Sequence, residues 1–207
     1  METKRSLMKY LIALFLMPIC LFASIKVAII GDSVTLGIGA TPGHGFVDDL
    51  RERYEFENKD VELIIRAYGG AMTDTAFQLT IDLISRERPD YIIYFLGIND
   101  CAVAMWGGLS NTQLETLLTT NFSNCFKKAT GNCSRVILGG ITCPFFPLYN
   151  YALAATYSTL ITNYNCYPPM LLGTDVLAHS DGIHPDDIGS QMIADIIYNS
   201  LHAVGAY

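Results

Sequence analysis

Short apolar runs alternate along the chain with longer segments of helical periodicity, and this alternation most restricts the fold. The apolar runs predict strands at Lys26–Ile30, Val61–Ala67, Tyr91–Leu96, Arg135–Gly139 and Met170–Leu172. The segments between them predict helices at Phe46–Tyr54, Thr73–Glu87, Ser110–Thr130, Ala152–Tyr164 and Pro185–Val204. Apolar strands separated by helices predict an α/β protein whose mostly parallel sheet is covered on both faces.

The length of the chain fits one domain. A chain of 207 residues can bury one sizeable core and is short for two. Its composition, 51% hydrophobic and 16% charged, is typical of a folded globular protein, and no linker-like stretch divides it. We therefore expect a single domain over residues 24–207.

Residues 1–23 differ in composition from the rest. Three basic residues precede an uncharged apolar run from Tyr10 to Phe22, which is short for a bilayer span. A basic head, a short apolar middle and the small residues Ala23 and Ser24 predict a secretory signal peptide cleaved after Ala23. An uncleaved membrane anchor is the alternative. We therefore expect a secreted or periplasmic protein.

The net charge argues against nucleic-acid partners. Residues 1–23 carry net +2, which leaves net −9 for the rest of a chain whose total is −7. An acidic surface repels phosphate backbones, so we expect no nucleic-acid binding.

An odd number of cysteines follows the predicted cleavage site, so at least one thiol is unpaired. They are Cys101, Cys125, Cys133, Cys143 and Cys166. No Cys-x-x-Cys pair occurs, which gives no support for a zinc ribbon or a thioredoxin-type redox site. Cys125 and Cys133 flank a Gly-Asn turn and predict a small surface disulfide in an oxidising compartment.

Polar residues follow the first apolar run at the point where it ends. Gly31-Asp32-Ser33 comes directly after a run that predicts a strand buried on both faces. Binding sites of open α/β sheets lie at the carboxyl ends of the strands, so a serine here would face a crevice. A plain strand-to-helix turn, in which Asp32 or Ser33 caps a helix, is the alternative.

Two further strand ends carry hydrogen-bond donors. Gly69 and Gly70 follow the second strand, where paired glycines permit a sharp turn with exposed N–H groups; an ordinary tight turn also fits. Asn99 follows the third strand, either as an amide donor or as a residue that stabilises its own loop.

A histidine stands just before the last predicted helix, in Asp181-Gly182-Ile183-His184-Pro185. The spacing allows the Asp181 carboxylate to reach the Nδ1 proton of His184, which leaves the other ring nitrogen as a base toward Ser33. Alternatively, Asp181 caps the helix and His184 is a surface residue. A nucleophile, a proton shuttle and donors for developing negative charge are what ester hydrolysis requires.

The four segments Gly-Asp-Ser-Val, Gly-Gly, Gly-Ile-Asn-Asp and Asp-Gly-Ile-His-Pro follow one another in this order. With them, from Ile25 to about Val204, the sequence closely resembles the SGNH or GDSL hydrolase family, especially its compact bacterial thioesterase/lysophospholipase-type esterases. The resemblance implies a flavodoxin-like three-layer α/β/α sandwich with a mostly parallel five-stranded sheet. It also implies a reaction without metal or organic cofactor.

The resemblance assigns roles to residues of this sequence. It implies that Ser33 is the nucleophile, that His184 is the general base and then the general acid, and that Asp181 orients the imidazole. It implies an oxyanion hole made of the Ser33 N–H, the Gly70 N–H and the Asn99 side chain. Gly69 stays an alternative to Gly70, because family members usually have Ser or Thr two residues after that glycine, whereas this sequence has a methionine.

The substrate is indicated by two apolar and aromatic segments. Ala102–Leu109 contains Trp106, and Cys143–Tyr151 contains Phe145 and Phe146; together they predict a pocket for an acyl chain, unless they cover the core or a dimer contact. We expect hydrolysis of a carboxylic ester or thioester, such as an acyl ester or lysophospholipid, with membrane contact through a lipid substrate. The alternatives are a carbohydrate O-acetyl esterase, an acyltransferase, and a binding module on a hydrolase scaffold.

Overall fold

The computed structural model describes residues 24–132, 134–141, 147–164, 167–172 and 182–207. The strands are β1 (Ile25–Gly31), β2 (Val61–Ala67), β3 (Tyr91–Phe95), β4 (Arg135–Ile141) and β5 (Tyr167–Leu172). The helices are α1 (Phe46–Phe56), α2 (Ala76–Arg86), α3 (Ile98–Gly107), α4 (Asn111–Thr130), α5 (Pro147–Tyr164) and α6 (Asp187–Ala203). None of these helices is long and apolar enough to cross a membrane.

The strands form one sheet in the order β2-β1-β3-β4-β5, and each neighbouring pair is parallel. Ile29 in β1 lies opposite Ile65 of β2 and Ile93 of β3. The sheet has five strands, and β5 pairs with β4 through a register shift between Ile137 and Gly139. This strand order places the switch point between β1 and β3, where doubly wound sheets form their sites.

Helices cover both faces of the sheet, so the predicted three-layer α/β/α architecture is confirmed. Successive side chains of β1 point to opposite faces, and each face has its own core. Ile29 belongs to the core beneath α1 and α6, whereas Ile30 belongs to the core beneath α2, α4 and α5. In the second core, the Tyr94 hydroxyl lies 2.8 Å from the Thr80 hydroxyl, which satisfies both buried groups.

One helix is absent from the predicted elements. The sequence predicts no helix over Ala102–Leu109, but α3 covers most of this segment. The helix begins after Gly97, whose φ of 120° only glycine adopts readily, and ends at Gly108 in the left-handed conformation. Its apolar side chains include the buried Ile98 and the exposed Trp106, so the sequence shows no clear amphipathic stripe.

The last two helices begin at different residues from those predicted. α5 begins at Pro147 instead of Ala152, which is consistent with the preference of proline for the first turn of a helix. α6 begins after Asp186, whose carboxylate accepts a hydrogen bond from the Gly189 N–H at 3.0 Å, instead of at Pro185.

The predicted surface disulfide between Cys125 and Cys133 is wrong. Cys125 is fully buried on the inner face of α4 and carries a free thiol. It follows Leu118 and Phe122 at helical spacing, so it faces the same core as they do. Burial raises the pKa of this thiol to about 12. Cys133, and likewise Cys143 and Cys166, lie outside the described residues.

Candidate active site

Ser33 lies just beyond the carboxyl end of β1, at the switch point of the sheet. The chain leaves Gly31 in a helical turn, in which the Ile38 N–H donates to the Ser33 carbonyl oxygen at 3.0 Å. The Ser33 hydroxyl oxygen lies 2.9 Å from Nε2 of His184, a residue 151 positions away in the chain. The structure thus brings together the residues predicted to be nucleophile and base.

The third member of the predicted triad lies outside the described residues. Asp181 directly precedes the described segment that begins at Gly182, so its contact with Nδ1 of His184 stays a prediction. Phe145 and Phe146, the predicted pocket aromatics, also lie outside the described residues, as does the predicted signal peptide.

Asn99 occupies the first turn of α3 and faces β1. Its Nδ2 group donates to the Ala71 carbonyl oxygen at 3.0 Å and to Oδ2 of Asp32 at 3.3 Å. Because only the nitrogen of a side-chain amide can donate, two acceptors on this side fix which way the amide points. The tight turn that places Asn99 here depends on Gly97, where an added Cβ would lie 2.8 Å from Leu153 Cδ1.

Gly70 is the glycine of the Gly69-Gly70 pair that contacts the cleft. It lines the same cavity as Ser33, Asn99 and His184, whereas Gly69 lines only a neighbouring groove. Gly70 has φ +74°, which requires glycine even though an added Cβ would have no neighbour within 4 Å. This position favours Gly70 as the oxyanion donor.

Asp32 is a functional candidate that the sequence did not single out. It is 2% exposed; Oδ1 accepts a hydrogen bond from the Val34 N–H at 3.0 Å, and Oδ2 accepts the bond from Asn99. Burial raises the pKa of Asp32 from 3.8 to about 7, opposed by the Val34 N–H and by the nearby His184. The local pattern predicted only a turn, because the contact with Asn99 spans 67 residues.

A second buried carboxylate holds the loop that contains Gly70. Asp100 accepts hydrogen bonds from the Thr73 N–H at 3.1 Å and the Thr73 hydroxyl at 2.7 Å. The Asn121 side chain in turn donates to the Thr73 hydroxyl oxygen at 2.9 Å. Burial raises the pKa of Asp100 to about 6, opposed by the bonds from Thr73. These contacts fix the loop that carries the Ala71 carbonyl against α3 and α4.

An apolar cleft of about 400 Å³ opens beside Ser33 and His184. Most of the other side chains that line the cleft belong to α3. Trp106, the predicted substrate-binding residue of this helix, lies at the edge of the cleft and is 78% exposed. Among the residues that the structure describes, no group of three or more histidine, cysteine or carboxylate side chains is placed to hold a metal ion.

Residues 29–192 match the model of the GDSL-like lipase/acylhydrolase family, a stretch that includes Ser33, Asn99 and His184. The chain belongs to this family. It is therefore a GDSL-type carboxylic ester hydrolase, as its sequence predicted.

Individual relatives agree with this assignment. The chain is 25% identical over 164 residues to esterase TesA of Pseudomonas aeruginosa, covering 76% of this chain and 78% of TesA. A crystal structure of TesA superimposes with a TM-score of 0.71 at 22% identity, covering 86% of this chain and 99% of that chain. The acetyl xylan esterase AlAXEase superimposes with a TM-score of 0.72 at 19% identity, covering 86% and 100%, and shows the shared fold.

Proposed function

We propose that this GDSL-type hydrolase cleaves carboxylic esters of apolar acyl groups through a covalent acyl-enzyme on Ser33. The observation that carries the proposal is the 2.9 Å contact between the Ser33 hydroxyl and Nε2 of His184, at the mouth of an apolar cleft. A serine that has a histidine within hydrogen-bonding distance can be activated as a nucleophile.

In the proposed acylation, neutral His184 takes the proton of the Ser33 hydroxyl through Nε2 while Oγ attacks the ester carbonyl carbon. Negative charge then develops on the carbonyl oxygen. The Ser33 N–H, the Gly70 N–H and the Asn99 amide would stabilise that charge. Asn99 has two N–H bonds and donates both in the free protein, so it would turn the longer one, which reaches Asp32 at 3.3 Å, toward the oxyanion. When the tetrahedral intermediate collapses, protonated His184 gives its proton to the leaving alkoxide or thiolate, and the acyl group stays on Ser33.

Deacylation repeats these steps with water. His184 accepts a proton from water, the resulting hydroxide attacks the acyl carbon, and the proton returns to Ser33 as the carboxylic acid leaves. Asp181 would keep the Nδ1 proton of His184 in place and stabilise the imidazolium, since the spacing between the two residues permits this contact.

The proposed substrate is an acyl ester, a thioester or a lysophospholipid. The apolar surface beside Ser33, which includes Ile98, Val103 and Trp106, supports an acyl chain. Exposed apolar side chains around the cleft, such as Ile38 at 50% and Trp106 at 78%, support contact with a lipid surface through such a substrate.

A carbohydrate O-acetyl ester is the second candidate substrate. It is favoured by the exposed indole of Trp106 at the cleft edge, since aromatic rings stack on sugars, and by the similarity of the fold to an acetyl xylan esterase. Transfer of the acyl group to an alcohol acceptor instead of water would use the same acyl-enzyme.

We also propose that the protein is exported and cleaved after Ala23. The proposal rests on the basic, apolar and small-residue order of residues 1–23. Sequencing the amino terminus of protein recovered from the periplasm or medium tests it: Ser24 as the first residue supports cleavage, and an intact Met1 contradicts it.

A panel of esters and a serine-specific label test the proposed chemistry. The panel contains p-nitrophenyl esters of increasing chain length, an acyl-CoA, a lysophospholipid and acetylated xylan, each measured with the parent protein and with Ser33→Ala. We expect fluorophosphonate labelling at Ser33 and loss of activity in the variant. A label on another residue, or full activity in Ser33→Ala, would contradict the mechanism, and inactivity of the parent on every ester would favour a binding module.

A further inference from the structure

A second groove adjoins the catalytic cleft at the Gly70 loop. It has a volume of about 570 Å³ and lies between this loop and α2. Gly70 and Met72 line both the cleft and the groove, whereas Ser33 and His184 line only the cleft. The groove therefore adjoins the cleft that contains the reaction centre, and Met72 lies at the boundary between the two cavities.

The direction of the reaction determines on which side of the cleft the leaving group of a bound ester lies. His184 must protonate the leaving oxygen, so that oxygen lies within about 3 Å of Nε2. The leaving group then occupies the end of the cleft where His184 and Ile183 lie. The acyl group points away from His184, and an acyl chain that passes the Gly70 N–H on this side reaches Met72, which borders the groove.

The lining of the groove suits an alkyl chain. Tyr68, Met72 and Leu79 provide apolar surface, with Tyr68 57% exposed. Among the described residues that line the groove, the one charged side chain is the carboxylate of Asp74, which would repel a phosphate or carboxylate group. An uncharged methyl end of a fatty acyl chain meets no such repulsion.

Hydrogen bonds on either side fix the backbone at Met72. The Thr75 hydroxyl donates to the Met72 carbonyl oxygen at 2.8 Å, and the adjacent Thr73 is held by Asp100. Methionine has a flexible, unbranched side chain that adapts to different neighbours.

We propose that the groove formed by Tyr68–Met72 and the first turns of α2 binds the distal part of long acyl chains, and that Met72 separates it from the cleft. Short acyl groups occupy the cleft alone, and long ones pass Met72 into the groove. This assignment rests on the proposed esterase function and extends it to chain-length specificity.

Filling the groove tests the assignment. Gln78 lies on the exposed side of α2 and lines the groove, so Gln78→Trp places an indole in it. Ser85 is exposed on the same helix outside the groove lining, which makes Ser85→Trp the matched control. Each methylene that leaves water contributes about fourfold in affinity, so blocking two or three should cost at least tenfold.

The readout is kcat/KM for p-nitrophenyl esters from acetate to palmitate. We expect the kcat/KM of Gln78→Trp to fall at least tenfold on long-chain esters and to keep the parent value on acetate. Ser85→Trp should match the parent at every chain length. Met72→Ala should change the ratio of long-chain to short-chain kcat/KM. An equal loss at all chain lengths in Gln78→Trp, or a parent profile that falls steadily beyond butyrate, would overturn the assignment. Inactivity of the parent on every ester would instead refute the esterase function on which the assignment rests.

Discussion

Replacing Asp32 by asparagine should lower activity while raising stability at alkaline pH. The two side chains have nearly the same shape, so the change alters charge and donors only. If the oxygen of the new amide keeps the bond from the Val34 N–H, the NH2 group of that amide replaces Oδ2 and faces the NH2 group of Asn99. Two donors cannot bond to each other, so the Asn99 amide turns or shifts.

The expected loss of activity follows from the role proposed for Asn99. Removing one oxyanion donor typically costs about 10²–10³ in kcat, and a misdirected donor should approach the lower end of that range. KM should change little, because the donor acts most strongly once charge develops on the carbonyl oxygen. We therefore expect a kcat reduced about 100-fold with KM near the parent value.

At high pH, Asp32→Asn should stabilise the protein although it lowers activity. The pKa of Asp32 is raised from 3.8 to about 7 by burial, so keeping it ionised in the fold costs about 4 kcal/mol above pH 7. This cost is absent below pH 3.8 and grows as the pH rises to about 7. Asparagine avoids it but introduces the conflict between donors, which costs about 1–3 kcal/mol at every pH.

Melting temperatures of both proteins from pH 4 to 8, with kcat and KM on the same samples, measure both effects. The melting temperature of Asp32→Asn minus that of the parent should rise with pH. The rise should be about 2–4 °C for each kcal/mol of ionisation cost that the asparagine avoids. Ser134→Ala is the control: Ser134 is 4% exposed, and its hydroxyl donates to the Pro89 carbonyl oxygen at the opposite end of the sheet from Ser33. It should lower the melting temperature equally at all pH values and leave kcat unchanged. A difference for Asp32→Asn that is independent of pH, or an unchanged kcat, would refute the reasoning.

Three further predictions concern the same site. Asn99→Ala should lower kcat about 10²–10³-fold with little change in KM, and near-normal kcat with a large drop in melting temperature would show that Asn99 is structural. Asp181→Asn should lower kcat by up to ~10⁴-fold by favouring the wrong His184 tautomer, and a pH-independent kcat near the parent value would contradict that role. In the parent, kcat/KM should rise from pH 5 to 8. His184 must be neutral to accept a proton, and Asp32, whose pKa is about 7, must be ionised to hold Asn99. A kcat/KM that falls over this range would exclude a histidine base.

Elements with strong local signals were predictable from the sequence. The bounds of β2, Val61–Ala67, are those predicted, because a run that is apolar on alternate positions has no competing helical pattern. The helix α3 was missed because its limits are set by backbone conformation at Gly97 and Gly108 and by contact with Leu153, neither of which has a periodic signature. The buried position of Cys125 could have been predicted from its helical spacing to Phe122.

The site was predictable to the extent that its residues carry recognisable chemistry. Ser33 and His184 were paired from the sequence although 151 residues separate them, because a serine and a histidine at strand and helix ends suggest one reaction. The role of Asp32 could not be predicted in this way. A carboxylate beside a turn caps its own backbone in most proteins, and only the position of the first turn of α3 beside the end of β1 reveals the second acceptor contact of Asp32, with Asn99.

Two buried carboxylates support the proposed oxyanion hole, and both have raised pKa values. Asp32 accepts from the Asn99 amide, while Asp100 fixes Thr73 and so the loop that contains Gly70 and the Ala71 carbonyl. Burial of an ionised carboxylate disfavours folding, and the raised pKa values of Asp32 and Asp100 reflect that cost. A carboxylate accepts without donating, so each one restricts its partner to a single orientation. Burying these carboxylates costs stability, and in return the Asn99 amide and the Gly70 loop are positioned beside Ser33 before substrate binds, so that only the Asn99 bond to Asp32 has to be exchanged for a bond to the oxyanion.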